Sequence, residues 1–114
     1  MNPITYEVTE PVQQLIDKQS DGLKSKIIFF LDMLKMKGHG IRLHYSDKIE
    51  GYDNLFELRP SFGNIAFRMI YFWTGNKAWF INAFFERGKT KENRREYEKA
   101  HQIRIIMLKK GIKE

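Results

Sequence analysis

Residues 56–68 read FELRPSFGNIAFR, and this stretch predicts two β-strands joined by a tight turn at Gly63-Asn64. A two-residue Gly-Asn connection between apolar runs is a strong β-hairpin signal. The turn fixes the register of the hairpin, which places Arg59 opposite Arg68. Residues paired in this way project from the same face of a sheet, and like charges directly opposite each other destabilise it. We therefore expect an anion between the two arginines.

The composition predicts a single folded domain over residues 1–114. The chain is 42% apolar and 14% aromatic, a composition that argues against a disordered protein. It has no cysteine, which excludes a disulfide framework and a thiolate nucleophile. No basic segment followed by an apolar run opens the sequence, and no apolar run approaches ~18 residues. We expect a cytoplasmic protein with no membrane partner.

Positive charge is concentrated in the last quarter of the chain. The net charge is +6, and residues 86–114 contain ten Lys or Arg but only five Glu. A local basic excess favours a polyanionic partner, most often a nucleic acid. The segment is therefore a predicted nucleic-acid-binding surface.

Outside the hairpin, the sequence predicts an α+β domain of order β-α-α-β-β-β-α, in which helices cover one side of a mostly antiparallel sheet. Apolar alternation marks the strands, and an apolar residue every three or four positions marks the helices. Residues 41–53 show neither pattern and are expected to be irregular. The predicted elements are a strand over residues 4–8, a helix over 12–18, a second helix from Ser20 or Asp21 to Gly38, three strands between 56 and 85, and a terminal helix over about 92–110.

The second helix is apolar on more than one face. Its main stripe runs from Leu23 to Leu34, whereas Ile28, Phe29, Met33 and Met36 lie off that stripe. We expect these four residues to be buried; the alternative is that a partner protein covers them.

A second turn at Gly75-Asn76 extends the register across the meander, so that Ile70 pairs with Ile81 and Arg68 with Ala83. The Arg68 face then contains Glu57, Arg59, Ala66, Arg68, Ile70, Ile81, Ala83, Phe85 and Arg87. The opposite face is almost wholly apolar and is expected to pack on the first two helices; it contains Phe56, Leu58, Phe67, Met69, Tyr71, Phe80, Asn82 and Phe84. An ion pair of Glu57 with Arg59 or Arg68 is an alternative to an anion site, although it would account for one arginine and not three.

Three segments together resemble the RelE/ParE toxin superfamily, and most closely its HigB-like branch, which includes phage-encoded relatives. They are Glu57-Leu58-Arg59, Arg68-Met69-Ile70-Tyr71-Phe72 and the basic run from Phe85 to Lys91. The resemblance implies a RelE-like fold and the toxin of a type II toxin–antitoxin pair. It further implies a ribosome-dependent mRNA endonuclease that cuts without a metal or other cofactor, by attack of the RNA 2′-hydroxyl on the adjacent phosphate.

The resemblance also implies roles for basic residues. Arg59 and Arg68 match the strand arginines, which implies phosphate binding and stabilisation of the transition state, since arginine forks suit phosphoryl oxygens. Arg87 joins them as a candidate catalytic residue, for protonating the leaving 5′-oxygen or positioning the backbone. The expected RNA-binding residues are Lys48, Lys89, Lys91, Arg94 and Arg95.

The general acid and base stay open at this point. The groups weighed are Glu57, Tyr71 and the three histidines, His39, His44 and His101. No cluster of His, Cys, Asp and Glu has metal-ligand spacing, so no metal site is expected.

Two other functions share this fold: a ParE-like non-enzymatic inhibitor of DNA gyrase, and a catalytically inactive basic RNA-binding protein. Two opposed arginines favour the nuclease, because an inhibitor gains little from them. The implied partners of the nuclease are mRNA on the ribosome and a cognate antitoxin, expected to be a small helix-turn-helix DNA-binding protein.

Overall fold

The structure, a computed structural model, describes residues 3–86, 88 and 90–112. Within them it is a mixed α+β architecture of three helices and six strands, which confirms the predicted class. Two short 3-10 turns, Gly38–Gly40 and Leu43–Tyr45, follow the second helix. The elements are β1 Thr5–Val8, α1 Glu10–Asp17, α2 Asp21–Lys37, β2 Ser46–Lys48, β3 Phe56–Leu58, β4 Ser61–Phe62, β5 Ile65–Thr74, β6 Lys77–Phe85 and α3 Thr90–Lys109.

The strands lie side by side in the order β1-β6-β5-β3-β2, and β4 also pairs with β5. β1 runs parallel to β6, whereas the other pairs are antiparallel. Both predicted turns are present, with Gly63 at φ 60° and Gly75 at φ 59°, values that glycine adopts without a steric penalty. Next to these turns the predicted register is confirmed, since Phe62 lies opposite Ile65 and Phe72 opposite Trp79.

The first half of the sheet differs from the prediction in two places. The segment expected to be irregular contains β2, which pairs antiparallel with β3. The single strand predicted over residues 56–62 is interrupted at Arg59-Pro60, because proline has no N–H to donate to a ladder. The Arg59 N–H instead bonds the carbonyl of Tyr45, at 3.1 Å, and this bond ties the interruption to the 3-10 turn before β2.

A β-bulge at Ile81 corrects the predicted register of β6. Tyr71 pairs with Phe80 as expected, but Ile70 pairs with Asn82, so Ile81 is an extra residue in its strand. The predicted pairs of Ile70 with Ile81 and of Arg68 with Ala83 are therefore wrong. Arg68 lies opposite Phe84.

The bulge also changes which face each later residue occupies. Phe84 contacts the ring of Tyr97 on α3, and Asn82 donates to the backbone carbonyl of Glu96 at 3.0 Å. Both were predicted on the α1–α2 side and lie on the α3 side. Phe85 and Ala83 were predicted beside Arg68, yet the Phe85 ring lies 5.3 Å from the Phe67 ring and Ala83 packs with the cluster under α1 and α2.

Each face of the sheet has its own apolar core. The first lies under α1 and α2 and includes Val12, Ile16, Leu23, Ile27, Leu31, Leu34, Leu58, Phe67, Met69, Tyr71 and Phe80. The second lies under α3 and includes Ile49, Leu55, Ile70, Phe72, Ile81, Phe84 and Ala100. The helices therefore cover both faces, not one, and α3 brings its polar residues to the Arg68 face.

Helix α2 begins and ends where the sequence predicts. The Ser20 hydroxyl accepts from the Leu23 N–H at 3.3 Å, and Gly38 ends the helix at φ 55°. The expected burial of its second apolar face is wrong, because Ile28, Phe29 and Met36 are exposed, Met36 by 78%. In the described part of the chain, none of the helices has both the length and the apolar character needed to cross a membrane.

Candidate active site

Arg68 lies at the centre of a polar cluster on the α3 side of the sheet. Its Nη1 donates to Glu57 Oε1 at 2.6 Å and to the Tyr97 hydroxyl at 2.9 Å, while its Nη2 is paired with Glu86. Burial alone would lower the pKa of Arg68, but the hydrogen bond and charge of Glu57 and the hydrogen bond of Glu86 raise the pKa overall. The guanidinium is therefore permanently charged, and hydrogen bonds hold both of its terminal nitrogens in place.

Glu57 and Tyr97 complete a triangle with Arg68. The Tyr97 hydroxyl donates to Glu57 Oε2 at 2.9 Å, so the buried carboxylate has a partner on each oxygen. Burial, together with the neighbouring Glu57 charge, raises the pKa of Tyr97 to about 12. In this geometry the phenol donates and the Glu57 carboxylate accepts, the two complementary roles that general acid–base chemistry needs.

Arg59 is held separately from Arg68. Its Nη2 lies 3.0 Å from Asp47 Oδ2 on β2, the strand that the sequence pattern did not indicate. Arg59 lies at the interruption between β3 and β4, outside both strands, and each of the two arginines is paired with carboxylates of this chain. The charge expected between them is provided in this structure by Asp47, Glu57 and Glu86.

A groove of about 780 Å³ opens beside the cluster. One wall is the loop between β2 and β3, and the other is the first half of α3. Glu57 and Tyr97 line it, so the proton acceptor and donor of the triangle both border open space. Its further lining includes Asp47, Lys48, Glu50, Tyr52, Asn93 and Arg94.

The expected RNA-binding residues divide into three groups. Lys48 and Arg94 line the groove, on opposite walls. Lys91 and Arg95 are exposed in the first turns of α3, with Arg95 beside a smaller depression that Phe84 and Glu92 also line. Arg87, expected as catalytic, and Lys89, expected to bind RNA, lie outside the described residues.

The other groups weighed for acid–base chemistry lie elsewhere. His39 packs on Trp73, with ring centroids 3.9 Å apart, and contacts the Gly75 carbonyl at the far turn. Tyr71 is on the core face, as its register predicts, and shares a 2.7 Å hydrogen bond with Ser46. His44 is exposed in a 3-10 turn, where its φ is 33°. His101 packs against Tyr52, with ring centroids 5.1 Å apart and the ring planes tilted by 50°.

Tyr97 is the residue that sequence reasoning missed, because its spacing places it in the apolar stripe of α3. The stripe itself is confirmed, since Ala100, Ile103, Met107 and Leu108 pack with Tyr97 in the core under α3. A tyrosine in such a stripe carries a signal of its own, because a buried hydroxyl requires a hydrogen-bond partner. Glu57, which alternation places on the same face, is that partner.

No group of three or more His, Cys, Asp or Glu within the described residues has the arrangement to hold a metal ion. What the cluster offers instead is a fixed cation, a carboxylate and a neutral phenol in mutual hydrogen-bond contact. That set can stabilise an oxyanion and transfer protons.

Comparison with known proteins adds one match. The family described as Phage derived protein Gp49-like (DUF891) matches residues 14–104, which contain α2, the whole antiparallel sheet and most of α3. No curated protein and no solved structure is significantly similar to the chain. Because the match extends over most of the sequence, the chain belongs to the phage-derived Gp49-like family, a family of RelE/HigB-like toxins.

Proposed function

We propose that this protein is the toxin of a type II toxin–antitoxin pair of the HigB-like branch, and that it cleaves mRNA on the ribosome. Its family is associated with toxins of toxin–antitoxin systems. The observation that carries the nuclease proposal is the triangle of Arg68, Glu57 and Tyr97 at the groove, because it combines charge stabilisation with a proton acceptor and a proton donor. A cytoplasmic antitoxin encoded beside the toxin would be its regulatory partner.

The proposed reaction needs no cofactor. The RNA 2′-oxygen attacks the adjacent phosphorus, the bond from phosphorus to the 5′-oxygen breaks, and the products are a 2′,3′-cyclic phosphate and a 5′-hydroxyl. Glu57 takes the proton of the 2′-hydroxyl, and Tyr97 gives its proton to the leaving 5′-oxygen. The Tyr97–Glu57 hydrogen bond then returns the proton from the carboxyl to the phenolate.

Arg68 is the proposed stabiliser of the charge that develops on the phosphoryl oxygens. To bind phosphate through its terminal nitrogens, Arg68 must release one of its two carboxylate partners. Glu86 is the partner that the phosphate would displace. The Glu86 side chain is 37% exposed, whereas that of Glu57 is 7% exposed. The Nε atoms of Arg59 and Arg68 are also buried without a hydrogen-bond partner among the described residues, so neither guanidinium has used its full set of donors.

A second function is favoured by the same ion pairs. If Asp47, Glu57 and Glu86 hold the arginines permanently, the cluster is structural and the protein acts by binding alone. The fold would then serve a ParE-like inhibitor of DNA gyrase or an inactive RNA-binding protein.

A cell-free translation assay separates these functions. Purified protein is added to a translated mRNA, the new RNA ends are mapped, and the supercoiling activity of DNA gyrase is measured in parallel. We expect cleavage of translated mRNA, fragments with cyclic phosphate and 5′-hydroxyl ends, and loss of each cut when its 2′-hydroxyl is replaced by hydrogen. Intact mRNA with inhibited gyrase would support the inhibitor and exclude the nuclease.

Arg68→Lys is the informative variant in that assay, because lysine keeps the charge but not the planar fork. We expect cleavage to fall by about 100-fold, in the range seen when one electrostatic stabiliser is removed. Arg42→Ala is the matched control, since the Arg42 guanidinium bonds the backbone carbonyls of His39 and Ile41, and it should cleave as the wild type does.

A further inference from the structure

Tyr52 forms part of the groove wall opposite Tyr97 and has no role in the chemistry above. Its ring packs against His101, with centroids 5.1 Å apart, and its hydroxyl donates to Glu98 Oε1 at 2.9 Å. Both of these partners lie on α3, so the ring is braced from the helix and still borders the groove.

The loop that carries Tyr52 is fixed by hydrogen bonds at three points. The Lys48 ammonium donates to the Tyr52 carbonyl at 2.8 Å, and the Ile49 N–H donates to the Leu55 carbonyl at 2.9 Å. The Asn54 side chain exchanges two hydrogen bonds with the backbone of Trp73 on β5, at 2.8 and 3.1 Å. A ring on such a loop loses little conformational entropy when a ligand packs on it.

The position of Tyr52 relates it to the reacting groups. Tyr97, which contacts Glu57, and His101, which contacts Tyr52, are separated by about one turn of α3, or about 5.4 Å along its axis. Lys48 and Arg94 line the same groove on its two walls and provide positive charge beside the ring. An aromatic face flanked by cations is the arrangement that binds single-stranded nucleic acid, by stacking a base and pairing with its backbone.

We infer that the groove is a nucleobase subsite, in which Tyr52 stacks on the base next to the scissile phosphate while Lys48 and Arg94 hold the backbone. The inference rests on the proposed nuclease function and adds how its substrate is positioned. A carboxylate accepts hydrogen bonds, and Glu50 presents an exposed one on the loop wall, where Asp47 is already paired with Arg59. A base with an exocyclic amino group (adenine, cytosine or guanine) therefore fits the subsite better than uracil does.

The test compares the cleavage rate and the base profile at the cut in the cell-free assay, with an mRNA library of randomised codons. Tyr52→Leu removes the stacking face and should lower the rate by about 5- to 150-fold, and flatten the base preference beside the cut. Tyr52→Phe keeps the ring and should restore most of the rate and the preference. Tyr6→Leu, on edge strand β1, is the matched control and should leave both unchanged.

The outcomes distinguish this inference from the function on which it rests. If the wild type cuts no mRNA, the nuclease proposal fails. If the wild type cuts and a folded Tyr52→Leu matches its rate and base profile, only the subsite is refuted. Should Tyr52→Leu not fold, mRNA carrying 5-iodocytidine, a photoreactive base with an exocyclic amino group, in the ribosome-bound codon is crosslinked to the wild type. A Tyr52 peptide on the RNA supports the subsite, and crosslinks confined to other peptides exclude it.

Discussion

The Tyr97 hydroxyl donates to Glu57 Oε2 across 2.9 Å, joining the middle of the terminal helix to a strand 40 residues earlier in the chain. Because Arg68 Nη1 contacts both residues, any change to one of the three alters the hydrogen bonding of the other two. The chemical and structural roles of the cluster are therefore separable only by comparing activity with stability in the same variants.

Replacing Tyr97 by Phe tests its chemical role. The change removes the proton donor but keeps the ring that contacts Phe84. We expect the rate of mRNA cleavage to fall by about 100-fold or more, the usual contribution of a positioned acid or base. The measurement is the initial rate in cell-free translation, with thermal unfolding showing that the variant is folded. A rate within threefold of the wild type would contradict the proton-donor role.

Arg68 and Arg59 should differ sharply in their contributions to stability. Arg68→Ala leaves the Glu57 carboxylate, in a residue only 6% exposed, without its ion partner. The expected loss in free energy of unfolding is about 3 kcal/mol. Arg59→Ala breaks an ion pair whose side chains are largely accessible, so its expected loss is below about 1 kcal/mol. Urea denaturation of both variants measures the difference; equal losses would show that the Glu57 pair is not the one that stabilises the fold.

Glu86→Gln should strengthen RNA binding by freeing Arg68 Nη2. The expected gain is about fivefold, since an accessible ion pair is worth up to about 1 kcal/mol. Glu7→Gln is the matched control, because it changes the net charge equally but lies beside Lys77 at the edge of the sheet. Affinity is read from an uncleavable mRNA, with the 2′-hydroxyl at the cut replaced by hydrogen, on programmed ribosomes. A gain of the same size in both variants would reflect net charge alone.

Stability at high pH should depend on Tyr97. Its pKa is raised to about 12, from an ordinary value of 10.0, so the folded state keeps a proton that the unfolded chain has released. The stabilisation is complete below pH 10 and is lost as the pH rises from 10 to 12. Tyr71 has a pKa raised to about 12 by burial and contributes in the same range. We expect the fall in free energy of unfolding between pH 10 and 12 to be shallower in Tyr97→Phe than in the wild type; parallel curves would contradict this assignment.

The sequence predicts the parts of this fold that depend on local geometry. Gly63 and Gly75 set the two turns. Counting residues outward from each turn gives the correct cross-strand pairs until the strand pairing becomes irregular. Neither the break at Pro60 nor the extra residue Ile81 changes the apolar pattern enough to be read from it. The break follows from the missing N–H of Pro60, a local signal that the apolar pattern does not carry, and the bulge appears only in how β6 pairs with β5.

The candidate site was only half predictable for a related reason. Arg68 and Glu57 share a hairpin, so alternation places them on one face without knowledge of the rest of the fold. Tyr97 and Asp47 arrive from α3 and from β2, the strand that was not predicted, and their contacts depend on tertiary packing. The sequence therefore indicates the cation and one carboxylate but not the proton donor.

The bulge at Ile81 matters for anyone who transfers residue roles between this chain and its relatives. Upstream of it, counting from the Gly75 turn names the correct partner across the ladder, and downstream every partner is displaced by one position. In a homologue that lacks the extra residue, the residues that follow this point in β6 would project from the opposite face. Different side chains would then lie beside Arg68, even if the two sequences align without a gap elsewhere. Residues of this family should thus be aligned separately on each side of the bulge. An insertion or deletion at this point changes which side chains project from each face of the sheet, and not only the length of the strand.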